Sequence, residues 1–192
     1  MSKVVILTGY SISNSNNATA GAFKIIRGTR KYEYLQVYKE LLDPDIIELR
    51  TIQLALQYLM EEIKVDILKK IQIFSENAEI IKLLRKYSKV LRSEDNSVNV
   101  SDNPEIREIL NNIYALEKEE KQFQFKYISK DVEEKPNEEV CDLALKGAAG
   151  KIDSYKSVSV ERKRCFNRKK KYRKRIRKKG QTRKPTPHGV RR

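Results

Sequence analysis

A single histidine, His188, in 192 residues leaves no basis for a His-dependent nucleophilic triad or a Cys/His zinc site. The two cysteines, Cys141 and Cys165, cannot frame a disulfide scaffold and suit a reducing compartment. No apolar run approaches the roughly 20 residues that cross a bilayer. Met1-Ser2-Lys3 leads straight into a short β-like run instead of a signal peptide. The expectation from these absences is an intracellular protein, cytoplasmic or nuclear, neither secreted nor partnered with a membrane. The last shortage is local. From Arg162 to Arg192 there is no acid at all, against 17 Lys or Arg, so the other 24 of the 41 bases face all 26 acids. The net charge of +15 therefore belongs to a basic tail behind a near-neutral body. The chain as a whole is 39% hydrophobic, and that body is long enough for one domain with a sizeable core.

Along the body, Val4-Val5-Ile6-Leu7 is a continuous apolar run of the central-strand type. Gly9, Ser11, Ser13 and Asn14 to Asn17 read as a polar loop. Ala20 to Ile26 and Lys31 to Lys39 read as two strands joined in a hairpin around Gly28. Asp43-Pro44 then starts a helix: an acid able to cap, followed by a proline whose missing N–H costs nothing in the first turn. Ile46, Leu49, Ile52, Leu56, Leu59 and Ile63 recur at spacings of three and four and define its buried face. Glu48 sits at the edge of that stripe. On this helix alone it reads as an acid favourable near a helix N-terminus. Ile67 to Ser75 is a fourth strand, Ala78 to Tyr87 and Pro104 to Glu120 are helices, Phe123 to Ile128 a fifth strand and Pro136 to Ala149 the last helix. The order βββ, α, β, α, α, β, α predicts a mixed sheet with helices on its faces.

Five stretches carry a family resemblance. Leu7-Thr8-Gly9-Tyr10-Ser11, Ala20-Gly21-Ala22-Phe23, Glu48 to Leu56, Ile73-Phe74-Ser75-Glu76-Asn77 and Asn137 to Ala144 stand in the order and spacing of the ribonuclease H motifs. Over roughly residues 3 to 149 the chain resembles that family. The resemblance implies an α/β, RNase H-like mixed five-stranded sheet, three antiparallel strands then parallel ones, flanked by helices. In the family, four carboxylates from separate elements hold two divalent metals that activate water for phosphodiester hydrolysis. Here the four positions are Gly9, Glu48, Glu76 and Cys141. Gly9 has no side chain, and Cys141 offers a soft sulfur poorly matched to Mg²⁺. Asp142 is adjacent but turned by about 100° along the helix. The family's mobile histidine corresponds to Asp131, and the Asn before its Glu-Leu motif to Asp45. Mg²⁺ needs near-ideal oxygen geometry, and groups that act as a unit lose most of the rate when one is missing. The departures thus imply an inactive domain with Glu48 and Glu76 as a weak or vestigial metal site and no cofactor. The alternative is a Mg- or Mn-dependent ribonuclease H using Glu48, Glu76 and a repositioned Asp142. For Glu76 the plain reading is a solvated strand-end acid, and for Cys141 a small buried hydrophobe.

Three segments are therefore expected: residues 1–150 as the domain, 151–161 as a linker and 162–192 as a nucleic-acid-binding tail. The tail's cations, Arg162, Lys163, Arg164, Arg168, Lys169, Lys170, Lys171, Arg173, Lys174, Arg175, Arg177, Lys178 and Lys179, are too dense to fold alone. Phosphate neutralisation would release counterions, and Phe166 and Tyr172 offer rings for stacking on unpaired bases. A nuclear-localisation role fits the same residues; anionic-membrane attachment lacks an apolar face. The function expected is binding of RNA or an RNA–DNA hybrid, dominated by the basic arm, in a ribonucleoprotein or replication complex. A further reading makes the domain a protein-docking module that the arm delivers to RNA.

Overall fold

The computed structural model describes residues 3–63, 70–92, 101–117, 122–129 and 136–160. Readings that concern residues 161–192, Asp131 or the stretches 64–69, 93–100 and 118–121 lie outside the described residues. The elements run β1 (Val4–Ser13), β2 (Ala18–Arg27), β3 (Arg30–Tyr38), α1 (Pro44–Glu61), β4 (Lys70–Ser75), α2 (Ala78–Arg92), α3 (Pro104–Glu117), β5 (Gln122–Tyr127), α4 (Glu138–Ala148) and β6 (Tyr155–Val160). They form a six-stranded sheet in the order β5-β4-β1-β2-β3-β6. The β1–β2–β3 meander is antiparallel, and β4 and β5 join β1 in parallel.

Two expectations are corrected here. The sheet has six strands, not five, because the stretch read as a linker holds β6, antiparallel to β3 from Leu35↔Tyr155 to Arg30↔Val160. Its alternation of serine with Tyr155, Val158 and Val160 is a strand pattern. Every one of its residues is exposed, so no buried face marks it as structural. The polar stretch after Leu7 is also strand through Ser13, held by an unbroken register from Val4↔Arg27 to Ser13↔Ala18. Only Asn14 to Asn17 turn, Asn17 adopting φ of 45° and donating its N–H to the Asn14 carbonyl at 3.3 Å. At the other hairpin Gly28 takes φ of 62°, a conformation without steric cost only for glycine.

Side-chain alternation along the sheet divides the core in two. Ile6, Phe23, Ile25 and Ile71 pack with Leu49, Ile52, Leu56 and Leu59 of α1, Ile80 and Leu84 of α2 and Leu110 of α3. Leu7, Ala20, Ala22 and Leu35 pack on the opposite face with Val140, Ala144 and Ala148 of α4. Each helix on the first face starts on a side-chain cap. Asp43 Oδ1 accepts from Asp45 N at 2.8 Å, Asn77 Oδ1 from Ile80 N at 3.1 Å and Asn103 Oδ1 from Glu105 N at 2.9 Å. Helix α1 lies unusually close to the sheet. A Cβ on Gly21 would stand 2.1 Å from Thr51 Oγ1, so Gly21 sets the depth of the helix carrying Glu48.

Candidate functional site

Parallel strands β1 and β4 pair from Val4↔Ile71 to Leu7↔Phe74, after which β4 reaches its carboxyl end at Ser75 and β1 runs on beside β2 to Ser13. Open α/β sheets place their sites at such carboxyl ends. From there β1 delivers alternate residues to opposite faces: Thr8 to α1 and Gly9 to α4. Thr8 Oγ1 donates to Glu48 Oε1 at 2.6 Å, whereas Gly9 lies directly under Cys141. Glu76 and Asn77 follow the last residue of β4. Asn77 Nδ2 donates to Asp45 Oδ1 at 3.0 Å, tying the strand end to the first turn of α1. Gly9, Glu48, Glu76 and Cys141, far apart in sequence, line one cavity of about 240 Å³ with Thr8, Tyr10, Asn77 and Asn137.

The chemistry of this cavity is dominated by burial. Glu48 is 1% exposed. Loss of water raises its pKa above the ordinary value, hydrogen bonds from Ser75 and Thr8 oppose that rise, and the charges of Glu76 and Asp45 add to it. The Tyr10 hydroxyl is pushed up by burial first, then by Glu48, Asp45, Asp43 and Cys141. Asn137 is fully buried at the foot of α4. Its Nδ2 donates to the Thr8 carbonyl at 3.2 Å and to Cys141 Sγ at 3.5 Å, while its Oδ1 has no hydrogen-bond partner. Asp142 is exposed on α4 and is not among the residues that line the cavity. The basic-arm residues fall outside the described region. Thr8, Ser75 and Asn137 were not singled out as site residues by sequence reasoning. The signal for the first two was present, as hydroxyls at the ends of adjacent β-like runs.

This arrangement of strands, helices and strand-end site matches solved structures. The fold is RNase H-like. The chain is similar to RNase H1 of the halophilic archaeon Halobacterium salinarum at 11% identity and a TM-score of 0.56, over 78% of this chain and 99% of that one. It is similar to LC11-RNase H1, isolated from compost by a metagenomic approach, at 14% identity and a TM-score of 0.56, over 79% and 99% of the two chains. LC9-RNase H1, described as a type 1 RNase H with the type 2 active-site motif, aligns at 10% identity and a TM-score of 0.58, over 84% of this chain and 78% of that one. No family model and no curated protein matches the sequence.

The RNase H-like architecture raises the question of a divalent metal pair, and the residues present do not fit one. Gly9 supplies no ligand atom, Cys141 supplies a sulfur, and the Glu48 carboxyl is buried and hydrogen-bonded within the protein. Among the described residues no group of three or more His, Cys, Asp or Glu side chains is placed to hold a metal ion. No helix among them is long and apolar enough to cross a membrane.

Proposed function

We propose that this RNase H-like protein binds RNA or an RNA–DNA hybrid without hydrolysing it, as a component of a ribonucleoprotein or replication complex. The observation that carries the reading is the cavity itself. Two of the four metal-ligand positions, Gly9 and Cys141, cannot supply carboxylates, and a third, Glu48, is buried and held by Thr8. Affinity comes mainly from residues 162–192, whose 17 bases and absence of acids favour a polyanion. The domain contributes recognition of duplex shape. A metal-dependent ribonuclease using Glu48, Glu76 and Asp142 is the second reading, and it draws on the first two residues lining the same cavity.

Salt titration tests the binding claim. Fluorescence anisotropy of a labelled RNA–DNA hybrid with the full chain is expected to show affinity falling about 10³- to 10⁵-fold between 50 and 200 mM salt, the signature of about six to ten phosphate contacts. Affinity independent of salt, or no binding at 50 mM salt, contradicts the proposal.

A further inference from the structure

The missing carboxylate at position 9 does not leave a gap. A Cβ placed on Gly9 would lie 2.9 Å from Cys141 Sγ, 3.1 Å from the Cys141 backbone nitrogen and 3.2 Å from its Cα. The first is a separation that real Cβ atoms do not show, and the other two are backbone atoms of a helix. We infer that Gly9 is a packing requirement of α4, and that Gly9 and Cys141 form a lock which closes the first metal-ligand position. This inference rests on the reading of the cavity as a non-hydrolytic RNase H-like site, and it names why a single substitution does not reopen that site.

What makes the lock firm is that α4 is held at this depth along its whole length. At its foot, Asn137 Nδ2 reaches the Thr8 carbonyl at 3.2 Å, immediately beside Gly9. In its first turn, Glu139 pairs with the buried Lys24 of β2, which also reaches Glu33 of β3 at 2.8 Å. Near its far end, Gly147 is pressed onto the sheet. A Cβ there would stand 3.0 Å from Leu35 Cδ1 and 3.2 Å from the Ala20 Cβ. Past that point the Ala148 carbonyl accepts from Asn16 Nδ2 at 3.1 Å. A rigid helix fastened at both ends cannot tilt away from Gly9 without breaking one of these contacts. The Cys141 side chain is the softest part of the obstruction, so truncating it relieves part of the clash, while the backbone contacts remain.

A double-mutant cycle on the full chain tests the lock through thermal stability, without reference to activity. Overpacking by one methyl group predicts that Gly9→Ala lowers Tm by about 3–10 °C. In a Cys141→Ala background the same substitution is expected to lower Tm by less than about half as much. An unchanged Tm in Gly9→Ala overturns the inference. So does an equal loss in both backgrounds. As a second readout, Gly9→Asp is expected to show no rise in Tm when Mn²⁺ is added. A Mn²⁺-dependent rise in Gly9→Asp with Cys141 intact overturns the lock. Cleavage of a hybrid by the wild-type protein, by contrast, would defeat the functional reading and leave the packing result standing.

Discussion

Replacing Glu48 by glutamine keeps the shape of the side chain and removes its ability to ionise, which isolates the cost of the buried charge. The carboxyl is 1% exposed, with Thr8 Oγ1 at 2.6 Å. Burial is the largest influence on its pKa and acts upward, ahead of the opposing Ser75 and Thr8 hydrogen bonds. The direction of the pH effect follows. Below the ordinary value of 4.5 the group is neutral in both folded and unfolded chains, and the native state carries no penalty. As pH rises, the unfolded chain loses its proton first. Stability therefore falls until the folded protein also ionises, then levels. Each unit by which the folded pKa exceeds the unfolded one corresponds to about 1.4 kcal/mol. For a chain of this size that is a Tm change of about 3–6 °C. Glu48→Gln lacks this slope. Thermal unfolding of both proteins across the acid-to-neutral range should show the variant gaining on the wild type as pH rises. A difference that is the same at both ends, or a wild type that gains on the variant with rising pH, refutes the reasoning.

Other perturbations bear on separate parts of the account. Leu56→Ala, at a fully buried position of α1, should cost about 2–5 kcal/mol in urea denaturation. Lys24 donates to Glu139 and holds that carboxyl below the usual carboxylate range, so the pair's contribution is present above that range and is lost as pH falls. Lys24→Met should blunt the loss of stability at acid pH while changing neutral-pH stability by less than about 1 kcal/mol, because Glu139 is well exposed and Met restores apolar packing. Changing Lys169, Lys170 and Lys171 together to glutamine should lower the slope of log affinity against log salt by about 2–3 in hybrid-binding titrations.

The fold was readable wherever burial imprinted a period on the sequence. Ile52, Leu56 and Leu59 announce α1 because one face of that helix must be apolar, and Val4 to Leu7 announce a strand covered on both faces. Strand β6 was missed for the complementary reason. It is held by backbone pairing to β3 while all its side chains face solvent, and period alone does not distinguish such a strand from a linker. The extension of β1 through Ser13 was missed likewise, because its polar residues are positioned by register with β2. At the site, motif order located Gly9, Glu48, Glu76 and Cys141 correctly as neighbours. What it could not convey is contact. That Glu48 is buried and hydrogen-bonded by Thr8, and that Gly9 lies against Cys141, depends on packing distances set by Gly21, Gly147 and the ends of α4. In sequence Gly9 reads as a lost ligand; in the structure it is also a close approach between a strand and a helix.

The central claim is that this RNase H-like protein engages a hybrid without cutting it. The most direct test incubates the full chain with an end-labelled RNA–DNA hybrid and either Mg²⁺ or Mn²⁺ at low salt, and follows binding and product in the same samples. Stable complex with intact RNA, indistinguishable between wild type and Glu48→Gln, is the predicted result. Cleavage of the RNA strand that disappears in Glu48→Gln would contradict it.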